Sequence, residues 1–116
     1  MRVLVVAAHP VEASFVAALH RRALERLRAG GHAVDNCDLY AEGFDPVLST
    51  QDRIDYHDEA ADRSRVIAYV ERLRAAEALL FVHPVWNFGP PAILKGFLDR
   101  VFLPGVAFAI SPEGNL

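Results

Sequence analysis

Two short stretches hold the residues with the most chemical content: "HPVEASF" over 9–15 and "HPVWNFGPP" over 83–91. Each opens with His-Pro directly after an apolar run, "LVVAA" in one case and "LLFV" in the other. In the first stretch Ser14 stands where a helical pattern begins, and a serine there caps a helix by accepting a backbone N–H. The first-turn amides of such a helix are unpaired donors at the positive end of its dipole, a backbone site suited to a phosphate or other anion. The loop has neither a G-x-G-x-x-G nor a G-x-x-x-x-G-K pattern. On local grounds, a Ser14 that only caps and a His9 that only packs explain it about as well. In the second stretch Trp86 and Phe88 sit at a strand end that faces solvent, where bare aromatic surface is costly unless something flat covers it. Gly89, Pro90 and Pro91 make the backbone there stiff and open to close approach. A planar ligand suits such a loop, although on these residues alone local packing beneath a neighbouring segment carries more weight.

The elements that must position these loops follow from periodicity. "RVLVVAAHP" is a continuous valine-rich run, the signature of a strand buried on both faces of a parallel sheet, and "ALLFVHP" repeats it. Between them, Phe15, Leu19, Ala23 and Leu27 recur every four residues in an amphipathic helix that Gly30 and Gly31 stop. "HAVDNCDLY" reads as a weaker strand. Residues 41–62 form a long irregular connection with a helical turn near Thr50 to Tyr56. Ile67, Val70, Leu73 and Arg74 mark a second helix. A third starts with Pro91 in its first turn and carries Ile93, Leu94, Phe97, Leu98, Val101 and Phe102 as its stripe. "VAFAI" reads as a short strand and "SPEGNL" as a turn-like tail. Alternating strands and helices imply an α/β, doubly wound parallel sheet with right-handed crossovers. With strand order 2-1-3, both His-Pro loops border one crevice at the carboxyl ends of the strands, where such sheets bind ligands.

Composition narrows the classes. A chain of 116 residues with 53% hydrophobic and 23% charged content fits one packed domain over 1–116. A net charge of -3 with its cations scattered leaves no basic stripe for nucleic acid. The single Cys37 fits a reducing compartment, so the cytoplasm is expected. The run Val3 to Ala8 is too short for a signal-peptide core or a membrane span, so no targeting segment is expected. His9, His20, His32, His57 and His83 show no H-E-x-x-H spacing and no accompanying Cys or Asp cluster, so no metal site is expected. A nucleophilic triad has no G-x-S-x-G elbow to support it. "VLVVAAHP" is similar to the start of zinc-dependent sugar deacetylases. Their paired aspartates give way here to Val11 and Glu12, which makes that hydrolase a runner-up only.

A stronger likeness runs along the chain. "PVWNFGPPAILKGFLDRVFLPGVAF" resembles the flavin loop and following helix of the NAD(P)H:quinone oxidoreductase family, flavodoxin-like flavoproteins that include quinone reductases and, more distantly, azoreductases. "DLYAEGFDPVLS" resembles their segment after the second strand, and "HPVEASF" their histidine-plus-serine phosphate loop. The resemblance implies a flavodoxin-like fold with bound FAD or FMN. The flavin phosphates would lie at His9, Ser14 and Phe15, and the isoalloxazine ring on Pro84, Val85, Trp86, Asn87 and Phe88. It further implies NAD(P)H as hydride donor, a quinone-like acceptor, and a homodimer whose contact is sought in Leu103 to Ile110. No acid or base is named by it. Family members continue for two more strands and helices, so the resemblance implies the N-terminal part of the fold, with later strands missing and "ALLFV" at a sheet edge. A flavin-binding or electron-carrier domain without catalysis, or an inactive fragment, is the second reading.

Overall fold

The computed structural model describes residues 1–114. Along the chain run β1 (Arg2–Ala7), α1 (Phe15–Ala29), β2 (Ala33–Asp38), α2 (Thr50–Ile54), α3 (Ile67–Ala75), β3 (Ala78–Val82) and α4 (Ala92–Val101). The three strands form one parallel sheet in the order β2-β1-β3, as the alternating pattern implies. Val5 of β1 stands opposite Asn36 on one side and Leu80 on the other, so the carboxyl ends of all three strands lie along one edge of the sheet.

Strand alternation splits β1 between two layers. Leu4 and Val6 face α3 and α4 in the main core, with Val70, Leu73, Leu94, Phe97 and Val101. Val3 and Val5 face α1, where Leu24 is the buried helical partner. The long connection closes the main core. Phe44 is buried in edge contact with Tyr69 of α3 and Phe97 of α4, at centroid distances of 4.9 and 5.6 Å. Arg100 of α4 is 7% exposed. It donates to the Asp45 carbonyl at 2.7 Å and to Asp52 at 3.2 Å. Asp52 also closes the Ser49 capping box that starts α2 and accepts from Arg65. Burial pushes the Asp52 carboxyl up, but the Ser49 amide and the Arg65 and Arg100 guanidinium groups outweigh it and hold the group below its ordinary range. At the outer edge, Arg72 of α3 grips Asp35 through two bonds of 2.7 and 2.9 Å and Glu42 through one of 2.6 Å. That pairing, led by Asp35, holds the guanidinium firmly protonated.

Gly96 has a packing reason rather than a conformational one. A Cβ built there would lie 2.2 Å from the Pro46 carbonyl oxygen, so the connection crosses α4 against bare backbone. Gly96→Ala is expected to destabilise the fold by about 1–3 kcal/mol despite the better helix propensity of alanine, because it overpacks rigid backbone. Urea unfolding checks this, and a neutral or stabilising result would show that the connection yields freely.

Several expectations need correction. Phe15 and Leu19 are exposed, at 76% and 46%, and α1 buries His20 and Leu24 instead. A four-residue period drifts by about 40° at each step, so Phe15 and Leu27 cannot share one buried face. β3 is not buried on both faces, since Leu79 and Leu80 are 40% and 36% exposed on a strand that pairs only with β1 among the described residues. "VAFAI" forms no strand. The amides of Val106 and Ala107 both bond back to the Leu103 carbonyl, and the chain turns there around Gly105. Pro91 is the cap residue before α4 rather than its first turn. The tail "SPEGNL" reaches beyond the described residues at Asn115 and Leu116.

Candidate functional site

β1 and β3 deliver the two His-Pro loops side by side, with the Ala8 amide bonding across to the Val82 carbonyl at 3.0 Å. The loops then touch. The rings of His9 and Trp86 meet edge-on at 5.5 Å between centroids. Sequence spacing placed these residues on neighbouring loops, and the fold brings their rings into contact.

On the first loop Ser14 is extended and its hydroxyl accepts the Ala17 amide at 3.0 Å, the expected cap. Its carbonyl accepts from Ala18, so the Phe15 and Val16 amides open the helix without a partner among the described residues. His9 Nδ1 accepts the Val11 amide at 3.0 Å, which puts the ring proton on Nε2 and makes that nitrogen a donor. Residues 9–16 thus gather one imidazole N–H and two backbone N–H groups, a set suited to a phosphate. Arg21, which sequence reasoning did not single out, adds a cation by donating to the Glu12 carbonyl at 3.2 Å. Its position about two helical turns beyond the Ser14 cap is the signal that could have found it.

The second loop is a tight hairpin. Trp86 and Gly89 exchange both backbone bonds, at 2.8 and 3.1 Å, around Asn87 and Phe88, whose φ angles are +48° and +66°. Two consecutive left-handed residues define a type I′ turn. Asparagine tolerates that conformation, but a phenylalanine in it is strained. The left-handed positions are Asn87 and Phe88, while Gly89 has open space around it, as a backbone open to close approach requires. Phe88 holds its ring wholly in solvent, while Val85 is exposed and Trp86 partly so. The Asn87 and Phe88 amides have no partner among the described residues. Pro84 is half-buried, and its carbonyl accepts from His83 Nδ1 at 2.8 Å. The loop therefore offers free backbone N–H groups beside an exposed aromatic wall.

His20 and His83 lie near the site, whereas His32 bonds the chain's amino terminus at 3.0 Å and His57 meets the Tyr56 ring edge-on. Cys37 is buried, and desolvation pushes its thiol up to about 12, so it holds no thiolate at neutral pH.

The sequence matches the family described as having a flavodoxin-like fold across residues 1–116. The chain belongs to that family. It is 33% identical to NAD(P)H dehydrogenase [quinone] 1 of Rattus norvegicus, over 92% of this chain and 45% of the relative. It is 31% identical to the ribosyldihydronicotinamide dehydrogenase [quinone] of Homo sapiens, over 94% of this chain and 54% of the relative. Among solved structures, an NAD(P)H:quinone oxidoreductase from Methanothermobacter marburgensis superimposes with a TM-score of 0.87 at 32% identity, covering 94% of this chain and 57% of that one. The chain spans about half the length of the curated relatives it matches. Among the described residues no helix is long and apolar enough to cross a membrane.

Proposed function

We propose that this flavodoxin-like chain carries the flavin-binding edge of an NAD(P)H:quinone-type oxidoreductase. The observation that carries the reading is the His9–Trp86 contact, which joins a capped helix start to an aromatic turn in one place. His9 Nε2 and the Phe15 and Val16 amides hold the flavin phosphate, with Ser14 fixing the helix start. Pro84, Val85, Trp86, Asn87 and Phe88 carry the isoalloxazine ring, the free amides of Asn87 and Phe88 bonding its polar edge. Bound flavin supplies two-electron hydride chemistry between NAD(P)H and a quinone-like acceptor, and the protein's part is to orient the ring and exclude water from it. FAD is our first assignment and FMN shares the same phosphate and ring contacts. The reading includes a homodimer, with Leu103 to Ile110 as the contact, and a cytoplasmic setting. The family's quinone-linked members among the relatives support the chemistry.

Trp86 is the chain's single tryptophan, so its fluorescence reports the site directly. Titration with FMN or FAD is expected to quench it saturably, and a folded chain whose emission does not respond would contradict the placement. Phe88 adds a sharper test because its two roles pull apart. Phe88→Gly relieves left-handed strain at some loss of chain rigidity, a net gain of about 0.5–1 kcal/mol in stability. The same change removes aromatic contact and is expected to weaken flavin binding roughly tenfold. Thermal melts and flavin titrations on the same protein read both, and tighter flavin binding in the glycine variant would sink the role of the ring.

A further inference from the structure

β3 pairs with β1 alone among the described residues, so its other side is an open edge. The Val82 carbonyl accepts the Ala8 amide at 3.0 Å, and the register then points the backbone groups of Ala78, Leu80 and Val82 at β1. Neighbouring residues of a strand turn these groups to opposite sides, so Leu79 and Phe81 present N–H and C=O to the open edge. Glu77, just before the strand, turns its amide in to the Arg2 carbonyl at 2.8 Å. The strand "ALLFV" carries no charge and no proline to deter another strand, and Leu79 and Leu80 are exposed. At its foot lies a groove of about 270 Å³ lined by Leu79, Leu73, Phe102 and Val106.

We infer that the occupant of this edge is the β3 edge of a second copy, paired antiparallel about a two-fold axis at Leu80. A two-fold contact must be self-complementary, and the sequence around β3 meets that condition. With the register centred on Leu80, Leu79 stands opposite Phe81, Ala78 opposite Val82 and Glu77 opposite His83. Leu79 and Phe81 are the residues with outward backbone groups, so each such pair exchanges two hydrogen bonds. Leu80 meets its own copy on the α1 side of the sheet, where Ala78 and Val82 pack with Val3 and Val5. On the α3 and α4 side, Phe81 of one copy covers Leu79 of the other beside the groove. Sliding the strands by two residues keeps the backbone bonds in phase but sets Glu77 against Phe81, or Leu79 against His83. Only the centred register puts the carboxylate opposite a histidine, a favourable cross-strand pair at each end of the seam. Glu77 engages the Arg2 amide through Oε2 and His83 the Pro84 carbonyl through Nδ1, which leaves Oε1 and Nε2 for this contact.

The pairing is separate from the Leu103 to Ile110 contact and does not depend on the flavin reading. Sedimentation equilibrium of the whole chain is expected to show twice the chain mass, rising from the single mass as concentration increases. Leu80→Cys tests the register, because facing residues at the axis lie about 4.5 Å apart at Cα, within disulfide reach. Mild oxidation is expected to link two copies through position 80, while the buried Cys37 stays out of the reaction. Leu79→Pro spares the bonds to β1, since the lost amide points outward, and is expected to weaken the dimer about thirtyfold by removing one bond on each side of the axis. Leu80→Lys sets two cations face to face and is expected to weaken it about tenfold or more. Its side chain is exposed, so it carries the test should the proline unfold the chain. A single-chain mass at every concentration overturns the pairing and leaves the edge to a different strand, such as the next segment of a longer chain. A dimer that withstands the substitutions, or one in which Leu80→Cys forms no link, overturns it equally and moves the contact to another surface.

Discussion

Ser14→Asp is expected to leave the protein folded and to abolish its affinity for flavin phosphates. Aspartate caps a helix as well as serine does and can keep the bond to the Ala17 amide. Its charge also suits the helix dipole, so thermal stability is expected to hold or rise slightly. The same charge faces the phosphate directly. At roughly 4 Å and an effective dielectric near 20, that repulsion is about 4 kcal/mol, or close to a thousandfold in affinity. Riboflavin, which lacks the phosphate, provides the control and is expected to bind the variant as it binds the parent chain. Ser14→Ala runs the other way, losing about 1 kcal/mol of stability with its cap and far less flavin affinity. FMN bound equally well by Ser14→Asp would remove the phosphate from the first turn of α1.

Phe97→Ala is the substitution expected to damage the fold most. Phe97 is 1% exposed and lies against Phe44 of the connection, Tyr69 of α3 and Phe102. Truncation removes the ring that those three share and leaves a cavity, at a cost of about 3–5 kcal/mol. Typical domains have only about 5–15 kcal/mol to lose. The damage reaches the site, because α4 begins directly after the aromatic turn and the connection holds α4 through Phe44, Gly96 and Arg100. Urea unfolding is the measurement. A midpoint lowered with unchanged slope is expected, and a loss below about 1 kcal/mol would show that the core is centred elsewhere.

The parts of the fold legible in the sequence are those fixed by local pattern and topology. The valine-rich run of β1, the Ser14 cap and the alternation of strands with helices suffice for a parallel sheet, and the order 2-1-3, once taken for it, sets His9 and Trp86 on adjoining loops as the structure has them. The pattern misleads where burial depends on what lies across the sheet. Leu79 and Leu80 have the composition of a central strand, yet β3 has a neighbour on one side only among the described residues. Phe15 and Leu19 are apolar but point away from the Val3 and Val5 face, because helix phase rather than composition chooses what α1 buries. At the site, aromatic content suited a flat ligand but favoured local packing, and only the family resemblance turned that order round. The left-handed Phe88 was not legible, since a bulky residue is uncommon there and the adjoining Gly89 reads as the place where the backbone is open to close approach. The polar ties were hidden too: Arg100 to Asp52 spans two elements far apart in sequence, and no local spacing announces it.

The most direct measurement is the visible absorption of the purified chain after incubation with FAD or FMN and removal of excess, followed without oxygen on adding NADPH or NADH. A chain that keeps flavin colour and loses it on reduction has the two loops working as one flavin site, the predicted result. A folded chain that retains neither flavin, with Trp86 emission unchanged by either, would contradict the assignment of His9, Ser14, Phe15 and residues 84–88 to the cofactor.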